Sequence, residues 1–192
     1  MPMVTFDNTE VAFAGKDDTE LAKAAWLFRI MSNSTIVDIG SHITSLALAI
    51  GLPVQSILKA TIFEHFCGGE GLAETEPMVD ALAVHGVSTI LDYGVEAKET
   101  QAEFDANLEE QLRCIAFADG HASVPYVSCK ITGYAPFALL EKLNAGAALD
   151  EEEEAAVARM NSRLTRICEA AARLDVAVYV DAEESWIQDA ID

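Results

Sequence analysis

Val176-Ala177-Val178-Tyr179-Val180-Asp181-Ala182-Glu183-Glu184-Ser185-Trp186 decides the fold, because a short apolar run stops abruptly at a cluster of carboxylates. Two earlier stretches stop the same way. Val87-Ser88-Thr89-Ile90-Leu91 runs into Asp92-Tyr93-Gly94-Val95-Glu96, and Tyr126-Val127-Ser128-Cys129 runs into Lys130-Ile131-Thr132-Gly133. Runs of this kind read as strands of a parallel sheet buried on both faces. In such sheets the functional side chains gather at the carboxyl ends of the strands. Three strand ends therefore offer Asp92, Glu96, Lys130, Asp181 and Glu183 to one site. The chain closes at Asp192 inside what reads as the next helix, so it is expected to carry half of an active site.

Helices are expected between the strands. Glu99 to Ala118 carries an apolar stripe of Phe104, Leu108, Leu112, Ile115 and Phe117. Phe137 to Leu143 is a short helix. Asp150 caps a long one, with Glu151 to Glu154 at the positive end of its dipole and Arg163, Arg166 and Arg173 later on. Val157, Met160, Leu164, Ile167, Cys168, Ala171 and Leu174 should form its buried stripe. The order β-α-β-α-β with right-handed crossovers gives a parallel sheet. No GxGxxG follows the first strand and no Walker motif occurs, which disfavours a doubly wound nucleotide fold.

Upstream, residues 1–17 show little periodicity. Helices are expected over Glu20 to Met31, Thr35 to Ile50, Val54 to Phe66 and Glu74 to His85, the last with Pro77 in its first turn. The expected organisation is a helical N-terminal arm, 1–69, followed by alternating α/β units, 70–192. A barrel of eight such units needs about 250 residues. Three are present, so the expected fold class is α/β with a parallel sheet, and a (β/α)8 barrel would be only partial, three units preceded by the arm.

Composition narrows the function. The 192 residues are 51% hydrophobic and carry a net charge of −20, with 32 acidic against 12 basic residues. That excludes an ordinary nucleic-acid surface and electrostatic docking on anionic lipid. The acidic surface reads first as a solubility device and, with only six lysines, alternatively as a fit to a salty cytoplasm, where screening relieves self-repulsion. Cys67, Cys114, Cys129 and Cys168 form no CxxC pair and read as core or strand residues in a reducing compartment. The four histidines lack HxH or HExxH spacing, so no metal site is expected. No signal peptide or membrane-spanning stretch is evident, which suggests a cytoplasmic location.

Lys130 is the most telling residue. A lysine closing an apolar strand needs carboxylates or an anionic substrate group beside it. Spacing alone fits three chemistries. These are a Schiff-base aldolase on Lys130, a magnesium-dependent lyase on the Asp181/Glu183 pair, and a substrate carboxylate held beside a cofactor.

Phe63-Glu64-His65-Phe66-Cys67-Gly68-Gly69-Glu70, Ile90-Leu91-Asp92-Tyr93-Gly94-Val95-Glu96, Cys129-Lys130-Ile131-Thr132-Gly133 and Val180-Asp181-Ala182-Glu183-Glu184-Ser185 together resemble the monofunctional proline dehydrogenase family, in order and in spacing. The resemblance covers nearly the whole chain. It implies a distorted (β/α)8 barrel that binds FAD, oxidises L-proline to 1-pyrroline-5-carboxylate and passes electrons to a quinone. It places Lys130 on the proline carboxylate. It pairs Glu96 with a substrate-binding arginine, and sets Asp181 and Ala182 beside flavin and substrate. Asp92, Tyr93 and Glu183 shape the site. Peripheral contact with the inner membrane is implied for the full-length protein. The family's later strands carry its flavin-phosphate groups and closing arginines, so this chain alone is expected to be inactive or nearly so. The rival expectations are another barrel enzyme and a non-catalytic interaction module.

Overall fold

The computed structural model describes residues 5–94 and 98–192. The architecture is mixed α/β, mostly helical, with one three-stranded parallel sheet. Two compact units divide the chain, the first reaching Ala81 and the second running from Leu82 to Asp192.

In the first unit, α1 (Thr9–Ala12) is a single turn inside a stretch expected to be irregular; the Asn8 side chain accepts from the Val11 N–H and nucleates it. Helix α2 (Asp18–Met31) starts at a capping box, with Asp17 and Glu20 each accepting the other's backbone N–H at 2.8 Å. Helix α3 (Ser34–Ala49) is capped by Asn33. The helix expected over Val54 to Phe66 is broken into α4 (Gln55–Leu58), a π-helical turn Lys59–Phe63, and α5 (Glu64–Phe66). Within this turn the Thr61 hydroxyl donates back to the Ile57 carbonyl at 2.6 Å. Lys59 then reaches Glu70 at 2.7 Å and Glu74 at 3.4 Å. Helix α6 (Leu72–Val84) holds Pro77.

In the second unit, strand β1 is only Ile90–Leu91, shorter than the expected Val87 to Leu91. The reason lies in the end of α6. Gly86 takes a φ of +71°, and the Val87 N–H turns back to the Leu82 carbonyl at 3.1 Å. Val87 thus closes a helix instead of pairing in a sheet. Strand β2 (Tyr126–Cys129) is central and β3 (Ala177–Val180) lies beside it, in the order β1-β2-β3, all parallel. Burial on both faces holds only for Val127, Ser128 and Cys129 of β2. Ile90, Tyr179 and Val180 are exposed because β1 and β3 are edges.

Helix α7 (Gln101–Asp119) begins at a capping box of Thr100 and Glu103, and α9 (Glu151–Leu174) at one of Asp150 and Glu153. Between β2 and α9 lie a 3-10 turn, Ile131–Gly133, and α8 (Phe137–Asn144); α10 (Gln188–Ile191) follows β3. Phe104, Leu108, Ile115, Val127, Tyr134, Leu140, Ile167 and Ile187 form the core.

Two corrections concern residues expected elsewhere. Arg163, read in the sequence as a favourable charge late in its helix, is buried; it bonds Asp105, Gln101 and the Tyr134 carbonyl and stacks over Phe104. Its long stem fills space in the α7–α9 seam while its head finds a carboxylate at the rim. Of the four cysteines, only Cys114 and Cys129 are buried, whereas Cys67 and Cys168 are exposed. Cys168 follows the buried Ile167 by one residue and so turns off the apolar stripe.

Candidate functional site at the sheet's carboxyl edge

The site forms where the three strands stop. Lys130 continues β2 in an extended conformation, with φ −105° and ψ 124°. Two polar residues of α7, one helical turn apart, fix the backbone around it. The Gln111 side-chain amide donates to the Ser128 carbonyl at 2.8 Å, and that of Asn107 to the Gly133 carbonyl at 2.9 Å. Both side chains are buried, so these bonds replace hydration that the carbonyls have lost.

The Lys130 ammonium contacts both Asp92 oxygens at 2.7 Å and Asp181 Oδ2 at 2.7 Å. One cation therefore ties the end of β1 to the end of β3. The Lys130 side chain is 14% exposed, Asp181 24% and Asp92 51%. Partial burial pushes the Lys130 pKa down, but the bonds to Asp181 and Asp92 outweigh it and hold it above the usual lysine value. Burial likewise raises Asp181, and the Lys130 bond and charge together with the Ser128 side chain outweigh it, leaving the carboxyl below its usual value. Lys130 is therefore firmly ionised, which makes it a poor amine nucleophile.

Two residues further on, Glu183 accepts the Thr132 N–H at 3.1 Å and the Thr132 hydroxyl. The backbone pairs Tyr126↔Ala177 to Cys129↔Val180 are followed by an Asp181 N–H to Cys129 carbonyl bond at 3.1 Å. The Lys130–Asp181 and Thr132–Glu183 side-chain contacts share the same 51-residue offset.

Of the residues singled out in the sequence, the structure gathers Asp92, Lys130, Asp181 and Glu183. Tyr93 is exposed just past Asp92, and Ala182 is exposed between Asp181 and Glu183. Glu96 lies outside the described residues. Thr132, Asn107 and Gln111 were not anticipated. The signal for the last two was present, as polar residues at i and i+4 beside the apolar stripe of α7. Among the described residues, no group of three or more His, Cys, Asp or Glu side chains is arranged to hold a metal ion. No helix of the described residues is long and apolar enough to cross a membrane.

Chemically, the edge offers one ammonium against three carboxylates. That donor set suits a small zwitterion, whose own carboxylate can meet Lys130.

The family model for proline dehydrogenase matches residues 76–192. The carbapenem antibiotics biosynthesis protein CarD of Pectobacterium carotovorum subsp. carotovorum is 34% identical over 138 residues, covering 72% of this chain and 37% of that protein. Proline dehydrogenase 1, mitochondrial, of Dictyostelium discoideum is 29% identical, over 71% of this chain and 24% of its own. Proline dehydrogenase 2, mitochondrial, of Arabidopsis thaliana is 25% identical, over 100% of this chain and 49% of its own. The chain thus spans at most about half the length of these curated relatives.

Proposed function

Because the chain belongs to the proline dehydrogenase family, we propose that it serves FAD-dependent oxidation of L-proline to 1-pyrroline-5-carboxylate, with electrons passed to a quinone. One observation carries the reading: a firmly ionised Lys130 stands where three parallel strands end, clasped by Asp92 and Asp181. Its role is to hold the proline carboxylate. Orientation and charge are what these residues contribute to such a reaction. In the same reading, β1, β2 and β3 are the first units of a (β/α)8 barrel. Residues 1–69 form a helical arm leading into it, and 70–192 the barrel units. The location is cytoplasmic, with peripheral contact at the inner membrane.

The family is flavin-dependent, and FAD would accept the hydride. Ala182 is small and exposed, which leaves room for a flavin ring edge beside Asp181. We assign these two to that border, Tyr93 and Glu183 to shaping the site, and Glu96 to pairing with a substrate-binding arginine. The flavin pyrophosphate does not fit the same edge. Lys130 is already committed to two carboxylates, and Glu183 adds a third negative charge. A dianion brings no cation of its own and would face three carboxylates against the single ammonium of Lys130.

A Schiff-base aldolase is the alternative, and the raised pKa of Lys130 argues against it. The test is proline-dependent reduction of a quinone analogue by the protein with FAD, in the wild type and in Lys130→Met. Loss of turnover in the variant, or loss of proline binding where turnover is absent, supports the reading. Proline binding or turnover unchanged by Lys130→Met overturns it.

A further inference from the structure

An ammonium has three N–H donors. In Lys130 the charge is shared by two carboxylates, with both oxygens of Asp92 and Asp181 Oδ2 each at 2.7 Å. A ligand carboxylate approaching Lys130 competes with both of them for the same positive charge. The two partners are not equivalent. Asp181 is mostly covered and held next to the β2–β3 ladder by its own N–H bond to the Cys129 carbonyl. Asp92 is half exposed, follows a strand of only two residues, and contributes two of the three contacts. Exposed ion pairs are weak, because water readily replaces the partner. Asp92 is the one that yields.

Once displaced, Asp92 is a free carboxylate a few ångströms from the ligand. A plain monocarboxylate would leave it unpaired in a site that already holds Asp181 and Glu183. A ligand carrying its own cation would satisfy it. We propose that Asp92 is a specificity-determining placeholder: it holds Lys130 until a ligand carboxylate displaces it, then receives that ligand's ammonium. The exchange conserves the number of ion pairs and selects zwitterionic α-amino acids over simple carboxylates. It rests on the reading of Lys130 as a carboxylate anchor. No covalent bond changes in this step.

The test follows the side-chain ¹⁵N signal of Lys130, identified by its absence in Lys130→Arg. Wild type, Asp92→Asn and Asp92→Glu are titrated with L-proline, acetate and pyrrolidine. Wild type should bind proline about fivefold or more tightly than acetate, a factor on the scale of one solvent-accessible ion pair. Asp92→Asn should close that gap, because acetate no longer displaces a charged competitor and the ligand's ammonium loses its partner. Asp92→Glu keeps the carboxylate and should restore the gap, which excludes misfolding as the cause. If proline binds and Asp92→Asn leaves the gap unchanged, the placeholder role is overturned while Lys130 remains the anchor. If neither proline nor acetate moves the Lys130 signal in any of the three proteins, the anchor reading and the placeholder fall together.

Discussion

Asp181→Asn isolates the charge that Lys130 contributes to the fold. The gross attraction at 2.7 Å is about 6 kcal/mol with an effective dielectric constant of about 20. Most of it repays desolvation, and the amide of asparagine keeps one neutral hydrogen bond, so the expected net loss is about 1–2 kcal/mol. The pH dependence gives a sharper test than the size. The Asp181 pKa is lowered from 3.8 in the folded chain, so its contribution is present above that value and is lost as pH falls through the lower folded value. Urea unfolding followed by circular dichroism, at steps from pH 7 to pH 3, should show a constant difference between the two proteins down to about pH 4 and a shrinking one below. A difference that stays the same to pH 3 would refute the reasoning, because it would then come from packing and not from the ion pair.

Three further outcomes are expected. Gly69→Ala should destabilise the first unit by about 1–3 kcal/mol, since its added Cβ would lie 2.8 Å from Glu74 Cβ and 2.9 Å from the backbone; a neutral melting shift would contradict this. A thiol reagent at pH 8 should modify Cys67 and Cys168 rapidly in the folded protein. It should spare Cys114 and Cys129, whose burial pushes the thiols up to about 11 and about 12, and mass spectrometry reads the pattern directly. Raising KCl from about 0.1 to about 2 M should raise the thermal midpoint, because a net charge of −20 repels itself most at a Debye length of about 10 Å; a lowered midpoint would count against that account.

The sequence showed its strand ends better than its strand beginnings. Lys130 and Asp181 were legible because a charged residue closing an apolar run has few places to go, and the two meet as that argument requires. The start of β1 was not legible, because the hydrogen bond that removes Val87 from the sheet depends on Gly86 reaching positive φ. The π-helical turn was hidden as well. Lys59-Ala60-Thr61-Ile62-Phe63 has good helical periodicity, and nothing in its pattern separates a π turn from an α-helical one. Asn107 and Gln111 read as polar punctuation in α7 until the carbonyls they serve are known. Arg163 read as a favourable charge near a helix C-terminus, while its position facing α7 was decided by tertiary packing.

The common offset of the β2–β3 contacts has a consequence for how the sheet finds its alignment. A slip of one residue turns every side chain of a strand to the opposite face, and a polar contact at the strand end adds a second penalty. Asp181-Ala182-Glu183 reads acid, small, acid against Lys130 and Thr132. A slip of one residue would set Ala182 against Lys130 and break its bond to Asp181. The polar tip thus proofreads the apolar ladder behind it. The Lys130–Asp181 and Thr132–Glu183 contacts lock two strands into the one alignment that brings ammonium and carboxylate together.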